Sequence, residues 1–359
     1  MRRALALTSA ILVALGLAGG AQALQPLTPS TDAQAKKVAP SWADSQIRIV
    51  TAAAILGDDP AAFRPSDPLT RGELADALVA WGKPAAVPAD PTRLVTMREL
   101  DAQIVGALGL LPAAKRIRVA AGDAGLVPTS MLGTETVARL LGLRLNHPQG
   151  SDDLELLPLQ PATRAEAAYS LARALKLTAG QVSWLDQLSR TFSLPTLDDW
   201  QRAVLGRALR FVGYPYVWAG TSETTQKLWS ATAPGGLVTV PGGFDCSGFV
   251  WRVYKTEAFA GAPLLGDILR GRTTYAMSAE VKKPARITSA NLLPGDVLFF
   301  GSRGARSTPA EVGHTGIYVG NGWFVHSSSA GVTLQPLQGW YTTTFAWARR
   351  PLLEAGITT

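Results

Sequence analysis

The 359-residue sequence predicts an α+β chain: a mainly α-helical repeat region, then a domain in which a helix packs on an antiparallel sheet. Three observations carry this. Residues 39 to 81 space their apolar side chains as helices do, with turns between. A Thr-x-x-Glu helix start occurs at Thr70–Glu73 and again at Thr163–Glu166. Late in the chain, two strand-like runs, Gly313–Val319 and Trp323–His326, flank Gly320-Asn321-Gly322, a hairpin signal.

Taken in order, the first residues read as an export signal. Arg2 and Arg3 form a basic start, Ala4 to Ala18 is apolar, and Ala21-Gln22-Ala23 is a small-x-small cleavage pattern. The apolar run is short for a bilayer, which needs about 20 residues, so residues 1–23 are expected to be cleaved. A secreted chain with no transmembrane segment is then expected. Hydrophobic content of 47% against 17% charged residues describes a globular chain. The net charge of +7, or +5 without Arg2 and Arg3, suits an anionic wall polymer or membrane surface. No dense Lys/Arg block interleaved with aromatics is present, which argues against nucleic acid.

Ile47, Val50, Ala54 and Ile55 form an apolar face that Gly57-Asp58-Asp59-Pro60 breaks. Then Phe63-Arg64-Pro65 leads to Thr70-Arg71-Gly72-Glu73, a capping box in which threonine and glutamate satisfy each other's backbone N–H. Thr163-Arg164-Ala165-Glu166 repeats it 163 − 70 = 93 residues later, room for two units in the mid-forties. A middle copy around Gly133–Leu140 is poor and off register. Residues 39–175 resemble S-layer homology repeats, which carry a Thr-Arg-x-Glu helix start after a Phe-x-Pro turn. The resemblance implies binding of an anionic secondary cell-wall polymer, with Arg71 and Arg164 in the polymer-holding role. His147, in a turn before Pro148, is assigned no chemistry. Residues 176–197 read as a linker, and Asp198 opens an amphipathic helix that stops at Gly213-Tyr214-Pro215.

Cys246 is the one cysteine, so it forms no internal disulfide. Asp245 can cap a helix, and Phe249, Val250, Val253 and Tyr254 recur at helical spacing, so a helix starts at the cysteine. A thiol on a first helical turn meets the positive end of the dipole, which favours the thiolate. His314 and His326 fall on the two arms of the hairpin. With a three-residue loop, Gly316 opposes His326 and His314 opposes Ser328, which puts both imidazoles on one face about 7–8 Å apart. With Asn321-Gly322 alone as the loop they would face opposite sides. Nucleophilic attack on an amide needs a thiol, an imidazole base and a third polar group that orients it. Cys246, His314 and His326 fit those roles in that order. As metal ligands they would number three, none at zinc-motif spacing, so no metal or other cofactor is expected.

Tyr216–Gly220, Asp245-Cys246-Ser247-Gly248-Phe249, Pro294-Gly295-Asp296 and Gly313-His314 through His326 resemble the NlpC/P60 family of papain-like cell-wall peptidases. The match covers residues 198–352, with four separated motifs in order. It implies Cys246, His314 and His326 as the catalytic residues, and Tyr216, Asp245 and Ser247 along the substrate site. The substrate it implies is a peptidoglycan stem peptide, cut at a γ-D-glutamyl–diaminopimelate type of bond. The backbone N–H of Cys246 is the expected oxyanion donor. Ala219-Gly220 stands where the family has Gly-Gly, a change expected to be harmless, and Thr221–Gly243 and Ser302–Glu311 are longer than usual. Two alternatives accompany this expectation: an amidase acting at the muramoyl–L-alanine bond, and an inactive wall-binding protein. A lipid acyltransferase is disfavoured, because its permuted relatives place histidine before cysteine.

Overall fold

Helix starts with side-chain caps organise the N-terminal half. The computed structural model describes residues 41–144, 155–230 and 234–357; the expected signal peptide and His147 lie outside these. Among the described residues eight α-helices come first: α1 (Asp44–Ala52), α2 (Arg71–Ala80), α3 (Met97–Ala107), α4 (Leu111–Asp123), α5 (Leu132–Leu140), α6 (Arg164–Leu175), α7 (Ala179–Thr191) and α8 (Asp199–Leu209). Among the described residues no helix is long and apolar enough to cross a membrane.

The repeat has three members, and the middle one is not where the sequence reading put it. Thr70, Thr96 and Thr163 each cap a helix by accepting from the backbone N–H of Glu73, Glu99 and Glu166. The residues just before them close a ring. Val95 N–H donates to Leu69 O at 2.9 Å, Ala162 N–H to Val95 O at 2.7 Å, and Leu69 N–H to Ala162 O at 2.8 Å. Gly133–Leu140 instead belongs to α5, which has no side-chain cap. Thr96-Met97-Arg98-Glu99 escaped notice because methionine stands where the other two copies have arginine. Its spacing is also uneven, 26 residues after Thr70 and 67 before Thr163.

The stretch 176–197, expected as a linker, holds α7. A Thr178/Gln181 capping box starts that helix, and Leu185 and Ser189 are buried. Arg116 on α4 donates to Ser189 Oγ at 3.0 Å, which fixes α7 to the helical layer. A short apolar stripe on an otherwise polar segment was enough to form a packed helix once α4 covered it.

After α8 the chain makes β1 (Thr221–Ser222), β2 (Gln226–Trp229), β3 (Leu237–Val240) and β4 (Gly243–Phe244), with β1 paired to β4 and β2 to β3. The described parts of the long 221–243 connection are therefore two paired strand segments, rooted beside the Asp245-Cys246 helix start. Helix α9 (Cys246–Tyr254) follows, then strands β5 (Val297–Gly301), β6 (Val312–Gly320), β7 (Trp323–Ser328), β8 (Gly331–Pro336) and β9 (Phe345–Arg349). These five form one antiparallel sheet in the order β8-β7-β6-β5-β9. Helix α9 packs on β6 and β7. Phe249, Val250 and Val253 share an apolar cluster with Ile317, Val319 and Val325, while Leu298, Phe300 and Phe324 fill a second cluster. This is the expected α+β, papain-like layout.

Candidate active site

Asp245 sets the start of α9. Its carboxylate accepts from the Gly248 N–H, so Cys246 occupies the first helical position. Phe244 is held on three sides: its N–H donates to Pro215 O at 3.1 Å, and its carbonyl accepts from Val217 N–H at 3.2 Å and Ser327 Oγ at 2.7 Å. The Cys246 segment is thereby tied to the Tyr216 loop and to the strand that carries His326. A Cβ at Gly248 would lie 1.9 Å from Gly220 O, so only glycine lets the helix approach this loop. Ala219 has φ +61°, a left-handed conformation that costs a non-glycine residue about 1 kcal/mol. The change from glycine there carries strain.

The two histidines meet. His314 Nε2 and His326 Nδ1 lie 2.8 Å apart, with the rings nearly perpendicular at 89°. Ile317 opposes Val325, so Gly316 falls opposite His326, the register needed for a shared face. The device that achieves it differs from the expected three-residue loop. Gly320 pairs with Trp323, leaving Asn321 (φ +47°) and Gly322 (φ +78°) as a two-residue turn, and a bulge at Val319 restores the parity.

His326 is fully buried and stacks on Phe324, ring centres 4.6 Å apart. Burial pushes its pKa down to about 4. Burial and the neighbouring His326 hold His314 well below the usual imidazole range. Tyr341 packs edge-on to His326 at 5.2 Å, and the exposed Trp340 lies 6.3 Å from His314. With His314 Nε2 committed to His326, Nδ1 is the nitrogen left for a thiol.

Cys246 is partly buried. Its thiol faces the backbone N–H of Thr315, the residue after His314, which brings the thiol to that strand. Burial and the Asp245 charge push the thiol up to about 11, outweighing the help from the helix start. Tyr216 is nearby: burial, then the charges of Cys246 and Asp245, raise its phenol. Ser247 Oγ donates to Asp245 at 3.1 Å.

Arg272 was missed by sequence reading. It donates to Asp245 Oδ1 at 3.2 Å and Oδ2 at 3.1 Å, to Ser247 Oγ at 2.8 Å and to Ala219 O at 2.9 Å. One guanidinium thus clamps both residues flanking Cys246 to the Tyr216 loop. Its signal, a lone arginine in Gly271-Arg272-Thr273 ahead of a short helix, has no local periodicity to find. Trp340 and Tyr341 were missed for the same reason. Among the described residues, no group of three or more His, Cys, Asp or Glu side chains is arranged to hold a metal.

Arg71 and Arg164 lie far from this site in sequence, in the repeat ring. Arg71 donates to Glu99 at 2.6 Å and lines a cavity of about 260 Å³ with Leu74, Ala85, Pro88 and Val95. Arg164 is buried and donates to Glu73 at 2.6 Å, Phe63 O at 2.8 Å and Leu56 O at 3.2 Å.

Residues 213–350 match the NlpC/P60 family, and residues 35–75 match the S-layer homology domain. A probable endopeptidase of Mycobacterium tuberculosis is 32% identical over 133 residues, 37% of this chain and 25% of that protein. Murein DD-endopeptidase MepH of Escherichia coli is 31% identical over 134 residues, 37% of this chain and 38% of that one. A gamma-D-glutamyl-L-lysine dipeptidyl-peptidase of Bacillus cereus is 29% identical over 186 residues, 49% of this chain and 45% of the relative. The chain thus spans between a quarter and a half of the length of these relatives.

Proposed function

We propose that this chain, with its NlpC/P60 match at the C-terminal end and its S-layer homology match near the N-terminus, is a cell-envelope peptidoglycan hydrolase: a cysteine endopeptidase that cuts stem-peptide amides. The observation that carries the reading is Cys246 on the first turn of α9, against the strand whose His314 is bonded to His326. The names of the relatives, all peptidases, support the same class.

In this mechanism the Cys246 sulfur attacks the scissile carbonyl carbon as His314 Nδ1 takes the thiol proton. The carbonyl oxygen becomes an oxyanion facing the Cys246 backbone N–H. Collapse breaks the C–N bond, His314 returns the proton to the leaving amine, and a thioester remains. Water, deprotonated by His314, then releases the acid and restores the thiol. His326 holds the His314 ring and shares the charge of its protonated form. Tyr216 and the Arg272-bonded pair Asp245 and Ser247 flank the acyl side, where they orient the stem peptide.

The bond proposed is the γ-D-glutamyl–diaminopimelate type. The relatives' names range from DD-endopeptidase to gamma-D-glutamyl-L-lysine dipeptidyl-peptidase, so mass spectrometry of the products decides. Incubation with purified sacculi should release fragments with a free γ-carboxyl on D-glutamate. Cys246→Ala should lower release at least 1,000-fold. Release that survives this substitution removes the nucleophile; fragments cut at L-alanine would make the chain an amidase.

The cavity beside Arg71 supports a second role for the helical half, contact with an anionic wall polymer. Arg71 keeps a third of its side chain exposed, whereas Arg164 spends its donors on Leu56, Phe63 and Glu73. Arg164 therefore has the weaker support for the polymer role and the stronger for holding the ring. Arg71→Ala should weaken sedimentation with polymer-bearing walls about tenfold without lowering the melting temperature by more than a few degrees. Equal sedimentation of the two proteins would remove the role.

A further inference from the structure

Arg139, at the end of α5, has a side chain with no exposed surface. Glu155 takes two of its hydrogen bonds, Nη1 to Oε2 at 3.0 Å and Nη2 to Oε1 at 2.6 Å. The same two nitrogens also leave the helical half. Nη1 donates to Ala330 O at 2.9 Å, and Nη2 donates to Gly213 O.

Those two carbonyls are not arbitrary parts of the C-terminal half. Gly213 ends the turn after α8, three residues before Tyr216. Ala330 lies in the turn between β7, which carries His326, and β8, whose Thr333 pairs with His326. The two segments are also stitched to each other: Gly213 N–H donates to Val332 O at 3.0 Å and Val332 N–H to Tyr214 O at 2.8 Å. Each segment carries a glycine in the left-handed region, and at Gly331 the missing side chain is what admits the guanidinium, whereas at Gly213 it makes room for Glu135. Gly213 and Gly331 have φ +98° and +75°, and a Cβ at Gly331 would lie 2.7 Å from Arg139 Nη1. A planar fork with fixed donor directions can hold two acceptors at a set separation, which an ammonium cannot.

We propose that Arg139 is a positioning residue for the cleft: from the helical domain it fixes the spacing between the Tyr216 loop and the His326 hairpin. It rests on the peptidase reading for its consequence, though not for its geometry. The helical half is then part of the catalytic apparatus, and the two halves are not joined as a tethered pair.

The test uses the full-length chain. Arg139→Met keeps the volume and removes the fork; Arg139→Lys keeps the charge with one donor group. Leu100→Ala, in the α3 core and buried, serves as a destabilised control. Melting temperature, kcat and KM on a soluble stem peptide, and the pH profile of Cys246 alkylation by iodoacetamide are measured for each. The expected result is at least a tenfold fall in kcat for Arg139→Met, a displaced alkylation profile, and little recovery in Arg139→Lys. Leu100→Ala should lose melting temperature with both functional readouts unchanged. Arg139→Met with the kcat and alkylation profile of Leu100→Ala overturns the proposal. Should Arg139→Met fail to fold, Glu155→Gln, which loosens the guanidinium, is read by the same criteria: a wild-type kcat and profile there overturn it. If the wild type cuts no stem peptide, the peptidase reading fails, and the alkylation profiles alone decide the positioning role.

Discussion

At the scale of single residues, the groups proposed to react, Cys246 and His314, rest uncharged. Burial and Asp245 raise the Cys246 thiol to about 11, while burial and His326 keep His314 from binding a proton near neutral pH. In the proposed mechanism the neutral thiol passes its proton to the neutral imidazole as the sulfur attacks, so little free thiolate would be exposed to oxidants meanwhile. Asp245 has two opposed effects: it caps α9, which places the thiol at the helix dipole, and its charge disfavours the thiolate that the dipole favours. Asp245→Asn retains a capping side chain and removes the charge. The midpoint of Cys246 alkylation should move to lower pH in that variant. A midpoint that stays in place would show that burial alone sets the thiol.

At the scale of elements, the bulge in the β6–β7 hairpin fits a two-residue turn to the register that puts both imidazoles on one face. Deleting Val319 would remove the bulge and leave a regular two-residue hairpin in which Tyr318 still opposes Phe324 and Gly316 still opposes His326, so both imidazoles keep one face. Activity should then be retained, while Gly322→Ala, at φ +78°, should cost stability, about 1 kcal/mol. A deletion variant that loses activity would show that the bulge does more than restore the register. Sequence parity reached the correct register through the wrong turn, because a bulge and a longer loop add the same one residue. The start of α9 was legible for a different reason: Asp245 and the apolar spacing after it are local signals. Arg272 and Arg139 act on partners tens to hundreds of residues away, and nothing near them in the chain marks those contacts. The middle cap at Thr96 was hidden by one substitution, Met97, and by unequal spacing.

For the molecule as a whole, the junction between its halves is a buried charge cluster. Arg144 bonds Asp101 at 2.7 Å and Glu155 at 2.6 Å, Arg139 bonds Glu155, and Glu135 lies 3.8 Å from Arg144. Burial is the largest cause of the shift at Glu135 and Glu166; it outweighs the arginines and raises each to about 8. Asp101 adds to the shift at Glu135, and Glu155 to that at Glu166. In the unfolded chain both would titrate at the ordinary glutamate value. Between that value and about 8 the folded state holds more protons, so its stability falls as pH rises through this window. Melting temperature should therefore decline from pH 5 to pH 9, and Glu135→Gln should flatten the slope. A slope unchanged in that variant would place the titrating group elsewhere.

The ring joining Leu69, Val95 and Ala162 has a consequence for how the chain reaches its fold. Each member donates to one neighbour and accepts from the other, so no pair completes the ring, and its last member arrives 93 residues after its first. Closure of so wide a loop is entropically costly and is not repaid until the third segment docks. Helices α2 and α3 therefore wait, with open backbone groups, for a segment whose own helix α6 is made after the whole of α4 and α5. The helical half is therefore expected to fold in one cooperative step, and trimming any one of the three ring segments should open the bonds of both others.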